Sequence, residues 1–190
     1  VGGARGDIQM GFYAMGSHDI VQGTNCPIQD EGNNTIAQVC YDIAKDLDIE
    51  PYDEHTGKGV LRHVIGRIGQ SGWMVILVTA TDYLLHQEQW IEKLTERIPQ
   101  VETIVHNVNS KRTNVILGPK NNILYGDGRI TDHIKDLRFT LSPHSFFQVN
   151  PEQTTVLYDQ ALAYADLKGD ETVIDAYCGT GTISLFLAHK

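Results

Sequence analysis

The stretch Thr172-Val-Ile-Asp175-Ala-Tyr177-Cys178-Gly179-Thr180-Gly181-Thr182 decides the fold. Its apolar start, Thr172 to Ile174, reads as a short buried strand, and Ile183 to Ala188 beyond it reads as a helix. Strand, tight turn and helix in that order open a doubly wound α/β domain, whose ligands sit at the carboxyl ends of the strands. Gly179 and Gly181 allow the backbone to come close to a bound molecule, where a Cβ would intervene. Asp175, at the strand end, can accept hydrogen bonds from turn amides or from an ammonium group. The spacing is G-x-G, whereas a dinucleotide fold seats its pyrophosphate on the longer G-x-G-x-x-G. A tight turn alone would explain a bare G-x-G. The strand and Asp175 ahead of it favour a ligand site.

Just upstream lies Ser142-Pro-His-Ser-Phe146-Phe147-Gln148-Val149-Asn150-Pro151. Asn150, Pro151 and Gln153 form a strong helix start: a capping side chain, a proline at the first helical position and a glutamine able to reach back. Leu157, Ala161, Tyr164 and Ala165 give that helix an apolar stripe. The cap accounts for Asn150 and Pro151 without a ligand. Gln148 is different, because it brings both amide donors and an acceptor to a short aromatic strand just before the cap.

Further upstream the pattern changes. Residues 1 to 30 are glycine-rich with short apolar pieces, and read as strands and turns needing partners from elsewhere. Asn34 to Leu47 is an amphipathic helix with Ile36, Val39, Cys40, Ile43, Ala44 and Leu47 on one face, capped by Asn33 or Asn34. Val60 to Ile68 and Trp73 to Thr79 flank Gly69-Gln-Ser-Gly72 as a hairpin. A helix over about Asp82 to Ile98 stops at Pro99. Val101 to Val108 and Thr113 to Leu117 form a second strand pair, and short strands follow near Ile123–Tyr125, Ile130–Ile134 and Leu137–Leu141. The fold class expected is an α+β domain with mostly antiparallel strands over residues 1–141, followed over 142–190 by the beginning of a Rossmann-like α/β domain.

The chain has 190 residues, room for one domain and part of another, and no apolar run long enough to span a bilayer. It begins Val-Gly-Gly-Ala-Arg-Gly, with neither an initiator Met nor a signal segment. The three cysteines, Cys26, Cys40 and Cys178, are odd in number and lack CxxC spacing, which argues for a reducing compartment, the cytoplasm by default. The formal net charge of -9 argues against a chain-wide electrostatic grip on nucleic acid. Any contact with nucleic acid would fall to local basic groups or to a basic module outside this chain. Arg62, His63 and Arg67 on one hairpin, and Lys111, Arg112 and Lys120 near another, are the candidates; as a rule such charges form a solvated face.

FFQVNPEQT followed by ETVIDAYCGTGTISLFLA closely resembles the RNA (uracil-5-)-methyltransferase family. The resemblance runs back through GFYAMGSHDIV, KGVLRHVIGRIG and NSKRTNVILG, covers essentially the whole chain, and is nearest to the bacterial branch that methylates 23S ribosomal RNA. D-x-x-C-G-x-G is what Rossmann-like methyltransferases use for the methionine part of S-adenosylmethionine. The resemblance implies that Gln148, Asp175, Tyr177, Gly179 and Gly181 contact that cofactor. Where the family often has Asn this chain has Thr182, which leaves a side-chain contact there open.

The implied reaction adds a cysteine thiolate to carbon 6 of uracil. The resulting enolate takes the methyl group, and a glutamate base removes the carbon 5 proton. The family places that cysteine and glutamate in segments downstream of this chain, so the chain reads as an interior fragment with no catalytic residue of its own and no expected turnover. Cys178, in the cofactor turn, reads as a small packing residue. Cys26 matches a position that in ribosomal-RNA members supplies one ligand of an iron-sulfur cluster, whose other three lie in an upstream segment. The implied partner is RNA, with no membrane. The alternatives are the same chemistry on transfer RNA, or a non-catalytic RNA-binding module. A small-molecule methyltransferase would lack the β-rich residues 1–141.

Overall fold

A computed structural model describes residues 1–188 as two compact units, Val1–Ile130 and the residues from Thr131 onward. The expected boundary near residue 142 falls inside the second unit. The first unit begins with two small antiparallel hairpins. β1 (Gly2–Ala4) pairs with β2 (Asp7–Gln9), and β3 (Gly11–Tyr13) with β4 (Ile20–Gln22). These strands were expected to need partners from elsewhere; they pair with one another instead.

α1 spans Glu31–Asp46 and buries Ile36, Cys40, Ile43 and Ala44, the face expected from the sequence. Its cap is Asp30, whose carboxylate accepts the Gly32 N–H, so the helix starts a turn earlier than Asn33 or Asn34 would set it. Asn34 is used otherwise: its Oδ1 accepts the Cys26 N–H at 2.8 Å.

The core sheet has the order β5-β6-β7-β8. β5 (Leu61–Ile68) and β6 (Trp73–Thr79) form the expected antiparallel hairpin. β6 and β7 (Val101–Val108) are parallel, joined through α2 (Gln87–Arg97). A mostly antiparallel sheet therefore carries one parallel pair at its centre. WMVILVT is almost wholly apolar, and VETIVHNV, though half polar, is buried everywhere but at Glu102, which suits central strands covered on both faces. Val75, Leu77 and Ile104 pack against Ile36, Ile43, Trp90 and Leu94, closing the core between this sheet and the two helices.

α2 is shorter than expected at its start. His86 takes a left-handed conformation, φ 58°, which breaks helical continuity between Asp82 and Gln87. The expected strand Thr113–Leu117 does not form. Its place beside β7 is taken by β8 (Lys120–Tyr125), antiparallel to β7. The Val115 and Ile116 carbonyls, which a strand would offer to a ladder, accept instead from Asn109 Nδ2 at 2.6 and 3.0 Å.

The second unit holds β9 (Ile130–Ile134), which enters it from the first, and β10 (Leu137–Leu141), together a two-stranded sheet. α3 (Pro151–Ala165) and α4 (Thr182–Ala188) follow. Asn150 caps α3 by accepting the Gln153 N–H at 3.0 Å, as the sequence indicates. The expected strand Thr172–Ile174 pairs with nothing among the described residues, and a strand exists only through its ladder. The α3 stripe also faces outward: Leu157 and Tyr164 are exposed, while Thr154 and Tyr158 are buried. Within this unit α3 meets α4 through Tyr158, whose ring lies edge-on to Phe186 at 5.5 Å.

Candidate functional site

The site is assembled in the second unit from two loops. In the first, Phe147 is buried with its ring 5.4 Å from that of Phe139 on β10, while Phe146 is exposed. This anchor leaves Gln148 half-buried between a fixed aromatic ring and the Asn150 cap. Ser142 and Ser145 close the turn before it with their hydroxyls 3.0 Å apart.

In the second loop, Asp175 organises the turn. One carboxylate oxygen accepts the Tyr177 N–H at 3.1 Å, and the other accepts the Ser184 hydroxyl from α4 at 2.6 Å. The Gly181 N–H donates to the Cys178 carbonyl at 2.7 Å and tightens the bend. Gly179 and Gly181 have φ values of 54° and 78°, a region that a Cβ disfavours. A Cβ built on either would meet nothing within 4 Å, so conformation, not crowding, selects glycine here. Tyr177 is 97% exposed and its ring stands clear of the chain.

Two contacts that sequence reasoning missed bring the pieces together. The Thr180 hydroxyl donates to the Phe146 carbonyl at 3.1 Å, tying the glycine turn to the loop that carries Gln148 two residues later, where the expected short aromatic strand does not form. Thr182 and Tyr158 share a hydrogen bond of 2.7 Å between hydroxyls, which ties α4 to α3. Hydroxyl residues beside each glycine were the available signal for Thr180 and Thr182. Ser184 and Tyr158 carry no signal, because a serine or tyrosine in a helix predicts no particular partner. The assembled surface offers a carboxylate, an amide, an open aromatic face and bare glycine backbone, which is the equipment of a binding site for a ligand with both polar and apolar parts.

No protein-family model matches the sequence. The chain is 50% identical to an uncharacterized RNA methyltransferase of Halalkalibacterium halodurans over 192 residues, covering 100% of this chain and 42% of the relative. RNA methyltransferases from Bacillus cereus and Clostridium tetani, also uncharacterized, are 49% and 47% identical over the same shares of the two chains. The chain is similar to RNA methyltransferases. It spans about two-fifths of the length of these relatives. A crystal structure of Pyrococcus abyssi tRNA (uracil-54, C5)-methyltransferase in complex with S-adenosyl-L-homocysteine matches with a TM-score of 0.76 and 23% identity, over 95% of this chain and 43% of that one. At that identity the likeness establishes a shared fold.

Of the three cysteines, Cys40 is fully buried and burial pushes its thiol up. Cys178 is exposed in the glycine turn, with its sulfur 3.9 Å from the Gly179 carbonyl. Cys26 is half-buried beside Asn34, and among the described residues no group of three or more His, Cys, Asp or Glu is placed to hold a metal ion. One thiolate does not make a four-cysteine cluster site.

The basic groups on β5 are not a solvated face. Arg62 is buried and spends its guanidinium on the carbonyls of Asn109 and Lys111, and His63 is pushed down to about 4, chiefly by burial. Arg67 is half-buried, and burial lowers its pKa as well. Lys111 and Arg112 remain exposed, whereas Lys120 pairs with Asp82 at 3.2 Å. Among the described residues no helix is long and apolar enough to cross a membrane. A cleft of about 260 Å³ in the first unit, lined in part by Met10, Phe12, Ile36 and His63, includes none of the predicted cofactor residues.

Proposed function

We propose that the protein to which this chain contributes transfers a methyl group from S-adenosylmethionine to carbon 5 of a uridine in RNA. The observation that carries the reading is the Thr180-to-Phe146 hydrogen bond. It unites the glutamine segment and the glycine turn, the two motifs on which the resemblance rests, in one surface. Residues 142–190 are on this reading the first part of the methyltransferase domain. Gln148, Asp175, Tyr177, Gly179 and Gly181 are its cofactor contacts: amide and carboxylate for the methionine head, ring and bare backbone for the remainder. The residue types fit the cofactor, since its ammonium calls for a carboxylate and its sulfonium and rings favour an aromatic face. The thiolate and base belong to other segments of the full-length protein.

Two RNA substrates have specific support. The residue resemblance points to 23S ribosomal RNA, and the protein whose fold this chain shares is, by its name, a transfer RNA enzyme. The decisive experiment incubates the full-length protein with labelled S-adenosylmethionine and, separately, unmodified 23S ribosomal RNA and transfer RNA. Nucleoside digests are then resolved by mass spectrometry. 5-Methyluridine from either RNA supports the activity and assigns the substrate. Label on another nucleoside, or on neither RNA, refutes it.

A further inference from the structure

Between β7 and β8 the chain runs from Asn109 to Gly118 without regular structure, yet it is held by three polar side chains that are almost wholly buried. Arg62, 3% exposed, stacks over the Tyr52 ring at 4.5 Å and donates from Nη1 to the carbonyls of Asn109 and Lys111 at 2.6 and 2.7 Å. Asn109, also 3% exposed, donates to the carbonyls of Val115 and Ile116 and accepts the Lys111 N–H. Asn107, with no exposure, pairs with both backbone groups of Gly118.

The consequence is chemical. Carbonyls of Asn109, Lys111, Val115 and Ile116 accept from these inward groups, so four backbone acceptors are drawn away from other partners. The loop's exposed side chains at Ser110, Lys111, Arg112, Thr113 and Asn114 are rich in donors and carry two positive charges. Lys111 belongs to no ion pair among the described residues, although the chain as a whole carries -9. Arg112 donates to the Thr56 carbonyl from one nitrogen, which fixes the direction of its guanidinium. A loop held in one shape loses little entropy when it binds. Cationic, and with four of its carbonyls already occupied, it suits a partner made of anionic acceptors.

We infer that the Ser110–Leu117 loop is a contact for the phosphodiester backbone of the RNA substrate, with Lys111 and Arg112 on phosphate. The inference rests on the reading of the protein as an RNA methyltransferase. It adds a binding surface in the first unit. Phosphate contacts of this kind position a nucleic acid without reading its sequence.

The test uses full-length protein, a fluorescent RNA substrate and anisotropy titrations at several salt concentrations. For K111Q/R112Q we expect roughly tenfold weaker binding at low salt. The slope of log K against log salt should flatten by about 0.7 for each phosphate of single-stranded RNA that the variant leaves unneutralised. The weakening should be equal for RNA with and without the target uridine, and cofactor affinity should not change. Affinity and slope equal to wild type overturn the inference. As a second measurement independent of loop stability, a photo-crosslinking residue at Asn114 should give an RNA adduct. An adduct to an acidic protein segment alone overturns it. Wild type that binds RNA through this loop but forms no 5-methyluridine keeps the loop's role and refutes the function. Wild type that forms 5-methyluridine while K111Q/R112Q matches it in binding refutes the loop's role only.

Discussion

Asn107 offers the sharpest test of how the first unit is held together. Its Nδ2 donates to the Gly118 carbonyl at 2.8 Å and to Asn121 Oδ1 at 2.7 Å, while its Oδ1 accepts the Gly118 N–H at 2.7 Å. The side-chain amide thus pairs with Gly118 as a neighbouring strand would. Asn107→Ala leaves the Gly118 N–H and C=O buried without partners. Each such group costs about 1–3 kcal/mol, so the pair costs roughly 2–6 kcal/mol. Asn121 is exposed and recovers its bond from water, and the loop next to Gly118 can admit water with modest movement. A loss of about 3 kcal/mol follows, equivalent to roughly 10 °C in Tm for a unit of this size. The assay is favourable because both tryptophans, Trp73 and Trp90, lie in the first unit, so fluorescence-monitored urea unfolding reports that unit alone. The midpoint should fall with the slope unchanged. Asn107→Asp should be worse than Ala at neutral pH, because it turns a carboxylate toward the Gly118 carbonyl and buries a charge. A loss under about 0.5 kcal/mol for Asn107→Ala, the range of surface substitutions, would refute the claim that this amide pins the loop.

Gly181→Ala and Gly118→Ala should separate two reasons for glycine. At Gly181 a Cβ meets nothing but φ is 78°, so the variant should fold with a loss of about 1–2 kcal/mol, whereas at Gly118 a Cβ would lie 1.8 Å from the Val108 carbonyl and the backbone must shift. Thermal denaturation should therefore show the larger drop at Gly118, and the reverse order would refute the distinction. Ser184→Ala releases one oxygen of Asp175, and in the full-length protein we expect S-adenosylmethionine affinity to fall about three- to tenfold by calorimetry, corresponding to one hydrogen bond; an unchanged affinity would separate the carboxylate's orientation from the cofactor. His63 is held neutral, its pKa lowered by burial from 6.5 to about 4, so the unfolded chain binds the proton first. The stability it contributes is complete above pH 6.5 and is lost as pH falls toward 4. Denaturant midpoints at pH 7 and pH 5 should differ less in His63→Gln than in wild type, and equal differences would exclude the residue as a source of acid sensitivity.

The sequence made the local elements legible and the partnerships less so. β6, β7, β9 and β10 match the expected ranges because each is a β-favouring run bounded by turn residues. The parallel pairing of β6 with β7 was missed, since two strands either side of a helix read alike whichever way the second runs. Thr113–Leu117 has a strand's composition but lies where Asn109 takes its carbonyls, and no window of residues contains that competition. At the candidate site the glycines and Asp175 were visible as a motif, and their backbone angles and hydrogen bonds give them a local reason. Thr180 was hidden because its partner, the Phe146 carbonyl, is 34 residues away in the chain.

Thr172–Ile174 shows the same division most clearly. The sequence reads it as a short buried strand, and among the described residues it has no ladder; Ile174 is 87% exposed, with Tyr177 and Leu157 also open. The turn that follows is nonetheless formed, because everything that shapes it is local: Asp175 to Tyr177 and Ser184, Gly181 to Cys178, and glycine where φ is positive. The bend therefore does not depend on the sheet for its shape. Strand pairing would instead set where the bend stands relative to a ligand, and would cover the apolar side chains now exposed. Substitutions within the turn should accordingly alter cofactor affinity in the full-length protein without altering the sheet. Substitutions at Val173 or Ile174 should lower stability and affinity together.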